Sequence, residues 1–163
     1  MRLRDALCGC AAAALLVSAS PALAKPPRSA AVVDAATACR ALLTDLKQVA
    51  TELHRQGWRN NTPSIGGTSM AAMTGAYQYR RGADTALLAS PGALVAPNCE
   101  FRLAGVAEGD LAEAVRQLSA TFGSQPVIKP NGMEWRPQAA TLFIGRKGDS
   151  LVILWLPDSK DHK

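Results

Sequence analysis

Cys39 and Cys99 are the cysteines that remain in this chain once its first 24 residues are read as an export signal. Met1-Arg2-Leu3-Arg4-Asp5 is a basic opening, Ala6 to Ala19 is a short apolar run, and Ala22-Leu23-Ala24 is a small-residue cleavage site. Cys8 and Cys10 lie inside that signal and leave with it. Two cysteines in an oxidising compartment most simply form one disulfide, and the rival, a catalytic or metal-binding thiol pair, lacks a CxxC spacing. Whatever elements carry Cys39 and Cys99 must therefore meet in the fold. Closing a loop of about 60 residues stabilises the chain by roughly 4 kcal/mol by restricting its unfolded state.

Leu7-Cys8-Gly9-Cys10 resembles a lipoprotein cleavage box, but there the apolar run precedes the cysteine, and here most of it follows Cys10. The run is too short to span a bilayer, and charged residues interrupt every later candidate. The expected mature protein is soluble and periplasmic or secreted, with no membrane span. Residues 25–163 fit a single domain: a flexible leader over 25–33, a disulfide-linked domain over 34–157 and a polar tail over 158–163. The full chain carries 18 Lys and Arg against 13 Asp and Glu. Arg2, Arg4 and Asp5 leave with the signal, so 16 cations against 12 carboxylates give the mature chain a net charge of +4. The positive residues are scattered and no recognition module is present, which argues against nucleic-acid binding.

Cys39, Leu42, Leu43, Leu46, Val49, Ala50 and Leu53 recur at steps of three and four, which predicts a helix over 35–56 with Asp34 as N-cap and Gly57 as its stop. Trp58 is expected to fold back over the helix end. From Arg59 to Pro97 no period is sustained, so this segment is expected to be long and irregular, with short strands near Tyr77–Arg80 and Ala86–Ala89. Cys99-Glu100-Phe101-Arg102-Leu103 alternates as a half-buried strand. Asp110 with Glu113 reads as a capping box for a second helix that Gly123 closes. A meander follows: strands at Val127–Lys129, Met133–Trp135, Thr141–Ile144 and Leu151–Leu156, with turns at Pro130-Asn131-Gly132 and Arg146–Ser150. The nearly continuous apolar run of the last strand predicts a central position covered on both faces. The fold class is α+β: two helices packed on one face of a mostly antiparallel sheet that ends in a C-terminal β-meander.

Gly67-Thr68-Ser69-Met70-Ala71 resembles the segment around the nucleophilic serine of subtilisin-like proteases. That resemblance implies a proline two positions after the alanine, where this chain has Met73, and an upstream HGT histidine, where it has only His54 in Leu53-His54-Arg55-Gln56. It also implies an upstream aspartate and a far longer catalytic domain. A serine without a base is an ordinary alcohol at neutral pH. Ser69 is read as part of a small-residue loop.

Met70 and Met73 form an M-x-x-M pair that suits Cu(I), but with few further Met, His or Cys in the mature chain the favoured reading is that they fill gaps against the core. Trp58, Trp135 and Trp155 are assigned to the core or its rim. Glu100, Glu108, Asp110 and Glu113 each have a structural explanation, and nothing sets two of them at a catalytic separation. Tyr77, Tyr79, Arg80 and Arg81 combine the residue types that dominate binding hot spots, and they form the expected contact surface. The favoured function is a small exported, non-enzymatic binding protein: an inhibitor, an immunity-type protein or an accessory subunit of an envelope system. Its expected partner is another envelope protein or an anionic ligand, and no cofactor is called for. The alternatives are a small envelope hydrolase using Ser69 or a carboxylate pair, and a copper-binding periplasmic protein.

Overall fold

A disulfide joins Cys39 to Cys99 with their Cα atoms 5.7 Å apart, and the architecture is arranged around that tie. The computed structural model describes residues 27–42, 46–89, 93, 98–137 and 140–157. The signal segment 1–24, the lipoprotein-like cysteines and the tail 158–163 lie outside the described residues.

Helix α1 spans Ser29–Leu42 and α2 spans Leu46–Arg55. The single helix expected over 35–56 is thus two helices, and they pack against each other. α1 also starts before Asp34, which sits exposed within it. Val32 is fully buried, so apolar contact carries the helix back into the stretch expected as leader. α2 ends as expected. The Gly57 amide donates to His54 O and the Trp58 amide to Leu53 O, and Gly57 takes φ +83°. This is a Schellman ending, which needs the left-handed conformation that glycine adopts without strain.

The chain then forms β1 (Arg59–Asn60), the hairpin β2 (Ser64–Ile65) and β3 (Thr68–Ser69), the short helix α3 (Met70–Thr74), β4 (Ala76–Arg81), β5 (Asp84–Ala89) and β6 (Asn98–Ala104). The segment expected to be irregular therefore contains two regular six-residue strands, β4 and β5. Helix α4 spans Glu108–Phe122, and β7 (Val127–Lys129), β8 (Gly132–Trp135), β9 (Ala140–Lys147) and β10 (Ser150–Pro157) complete the order. α4 begins at Glu108 behind Ala107, with no side-chain cap. Asp110 is not its N-cap; its carboxylate accepts the Arg28 amide at 3.0 Å. Gly123 closes the helix at φ +66°, as expected.

Eight of the described strands form one sheet in the order β1-β4-β5-β6-β10-β9-β8-β7, and every pairing is antiparallel. The fold is α+β. Cys99, Phe101 and Leu103 of β6, Leu151, Ile153 and Trp155 of β10, and Leu142 and Ile144 of β9 are buried on one face. α1 packs on that face against β6 and β10, with α2 and α4 beside it. Phe122 of α4 meets Trp135 and Trp155, and Trp58 stands edge-on to Phe101 at 5.3 Å. Each buried Leu or Ile contributes about 1.5–3 kcal/mol of transfer free energy. The Trp155 indole donates to Ala36 O at 2.8 Å, so its one polar atom is satisfied inside the core.

β10 is central, between β6 and β9, as its apolar run predicts. It is not covered on both faces by described elements. Val152 and Leu154 are only partly buried and Leu156 is 41% exposed.

Candidate functional site

Directly opposite residues in an antiparallel pair share a face, with Cβ atoms about 4.5–5.5 Å apart. Following the register across the sheet therefore identifies what the face away from α1, α2 and α4 presents. One row reads Arg59, Arg80, Thr85, Arg102, Val152, Gly145, Gly132, Lys129. The next reads Gln78, Leu87, Glu100, Leu154, Phe143, Glu134, Val127. An antiparallel sheet with one solvated face normally alternates apolar inward and polar outward. This sheet breaks that rule at its centre, where Leu87, Val152, Leu154, Leu156 and Phe143 form an outward apolar stripe.

The stripe has a shaped centre. A Cβ placed on Gly145 would come within 2.7 Å of the Phe143 ring, and one on Gly132 would meet the same ring at 2.7 Å. Phe143 thus lies down over two glycines on neighbouring strands, and any side chain there would push it up. Its ring lies flat on the open face as a platform.

Beside the stripe stands a basic flank. Arg59, Arg80 and Arg102 span β1 to β6, about 14 Å at roughly 4.8 Å per strand. Among the described residues the Arg59 side chain makes no hydrogen bond or ion pair, and Arg80 donates from Nε to Gly82 O at 2.9 Å. Arg102 binds Glu100 through Nε at 2.5 Å. Beside Arg102 a groove of about 220 Å³ opens, lined by Asn61, Gln78, Tyr79, Thr85, Ala86, Leu87, Glu100 and Arg102, while Arg59 and Arg80 stand outside it.

The four residues expected to form one contact surface are not brought together. Tyr79 is 4% exposed and packs edge-on to His54, and burial followed by the neighbouring Tyr77 raises its phenol above the ordinary value. Tyr77 packs against the core. Arg81 lies over the Trp58 ring at 4.6 Å and donates to Gln56 O at 3.3 Å. Only Arg80 reaches the open face. A period of two sends neighbouring residues to opposite faces, so Arg80 and Arg81 diverge.

The protease-like letters have a local explanation. Gly66 and Gly67 take φ +58° and +81° in a two-residue hairpin turn between Ile65 and Thr68. Ser69 Oγ accepts the Ala71 amide at 3.2 Å as the N-cap of α3, and Gly75 ends that helix at φ +70°. His54, exposed at the end of α2, meets the Tyr79 ring. Met73 is 53% exposed, so it does not fill the core as expected. Among the described residues no group of three or more His, Cys, Asp or Glu side chains comes together.

The carboxylates considered as a pair are separately engaged. Glu100 binds Arg102, Glu108 binds Arg146, Asp110 accepts the Arg28 amide and Glu113 binds Arg116. No described helix is long and apolar enough to cross a membrane. Comparison of the chain with protein-family models, curated proteins and solved structures finds no match.

Proposed function

We propose that this chain is an exported, periplasmic or secreted, non-enzymatic binding protein that docks a partner protein on the open face of its sheet. The outward apolar stripe of Leu87, Val152, Leu154 and Phe143 carries the reading. Such a stripe costs free energy in water and becomes favourable once covered.

The flank argues for an acidic partner. Arg59, Arg80, Arg102, Lys129 and Arg136 outnumber Glu100 and Glu134 on or beside this face by five to two. Complementary charge steers encounter and fixes register, while the stripe supplies desolvation energy. The Cys39–Cys99 bond suits an oxidising compartment and holds the scaffold rigid beneath the face.

Capture from envelope extract tests this, with the wild type, Leu154→Asp and the helix-side variant His54→Ala as immobilised baits. Circular dichroism shows that each bait is folded. The expected result is one protein held by the wild type and His54→Ala and lost by Leu154→Asp. The same captured set on all three baits overturns the reading.

A further inference from the structure

The groove in the basic flank is smaller than a site for a whole metabolite. At about 220 Å³ it falls below the roughly 300–1,000 Å³ of small-molecule pockets and suits a single anchoring side chain. Its shape follows from the register. Thr85, a short side chain, stands between Arg80 and Arg102, and Leu87 stands between Gln78 and Glu100. Long polar residues on β4 and β6 thus form the walls, and the shorter residues of β5 form the floor.

The chemistry of the walls is biased toward donors. Arg102 spends Nε on Glu100, and among the described residues its terminal nitrogens have no partner. Among the described residues the side chains of the lining Asn61, Gln78 and Thr85 make no hydrogen bond except at their backbones. Arginine offers its donors as a fixed fork that matches a carboxylate. Glu100 is already bound, so it is the weaker determinant of what enters.

We propose that this groove is the specificity pocket of the docking face and that it receives a Glu or Asp side chain of an extended partner segment, with the carboxylate held by the terminal nitrogens of Arg102. The proposal rests on the docking reading above and adds the identity of the anchor. It makes Glu100 an internal competitor that occupies part of Arg102 until the partner arrives.

Titration with a doubly capped hexapeptide alternating Leu and Glu, and with its Leu and Gln counterpart, tests the pocket. Amide and Arg Nε resonances of the full protein are followed by NMR. The wild type is expected to prefer the Glu peptide by about ten-fold, with shifts at Thr85, Leu87 and Arg102. Arg102→Gln is expected to abolish the preference, and Glu100→Gln to tighten binding of the Glu peptide about three-fold by freeing Arg102.

Equal binding of the two peptides, no binding of either, or a preference unchanged in Arg102→Gln overturns the pocket. So does displacement of the Glu peptide by an excess of inorganic phosphate, which would mark a general anion site. Leu154→Asp separates the two levels. If it abolishes binding while Arg102→Gln leaves the preference intact, the pocket falls and the docking face stands. If it binds both peptides as the wild type does, the docking face falls as well.

Discussion

Asp84 is the residue whose role the sequence least discloses. It is 2% exposed, yet it carries a charge at the head of β5. Its carboxylate receives Arg28 Nη2 at 2.6 and 2.8 Å and the Ala104 amide at 3.0 Å, with Arg81 Nη2 at 3.7 Å. Arg28 belongs to the stretch expected as leader, and this contact ties it to the sheet. Breaking a buried pair by removing one partner leaves a charge without compensation. The Arg28 side chain keeps a fifth of its surface, at 21%, which moderates the cost. Asp84→Asn is expected to lower stability by about 3 kcal/mol in urea unfolding, and a loss below about 0.5 kcal/mol would show that the pair is decorative. Contacts of this kind are illegible in a sequence because Arg28 and Asp84 are 56 residues apart and neither stands in a motif.

At the level of elements, legibility followed period and punctuation. The alternation at Cys99–Leu103, the glycines that end α2 and α4 and the apolar run of β10 are local signals, and each element formed where its signal lay. β4 shows how a correct strand can yield a wrong surface: Tyr77, Tyr79 and Arg81 turn to the helices, and only Gln78 and Arg80 turn out. The open face was missed because its members come from different strands, although the unbroken apolar letters of Leu151–Leu156 announced that both sides of β10 want cover. The exposed helix faces offer a further prediction. Hydrogen bonds from Arg55 and then Gln56 hold the Glu52 carboxyl at about 2 against an ordinary 4.5, and Arg116 and then Gln117 do the same for Glu113. A carboxyl whose pKa is lowered by folding favours the fold above its unfolded value, and that help fades as pH falls through the folded value. The thermal midpoint is expected to drop between about pH 4.5 and 2, with a shallower drop in Glu52→Gln/Glu113→Gln and in high salt. Identical pH profiles for wild type and double variant would remove these pairs from the account.

For the whole molecule, the disulfide and the sheet order act together. The bond joins α1 to β6 across 60 residues, so it fastens the helical layer to the half of the sheet that carries the basic flank. Cys39→Ala/Cys99→Ala is expected to lose about 4 kcal/mol in denaturant unfolding, whereas an unchanged midpoint would show that the layers hold without it. The position of β10 has a consequence in time. Among the described strands, β1, β4, β5 and β6 on one side and β9, β8 and β7 on the other hydrogen-bond to each other only through β10, and β10 is the last of them to be synthesised. Until it arrives the chain holds two half-sheets that cannot close, and pairing β10 with β6 reaches back across about fifty residues, a slow step. A nascent chain built this way can bring its two half-sheets into one sheet only once its final strand is free to pair, so folding completes late relative to synthesis.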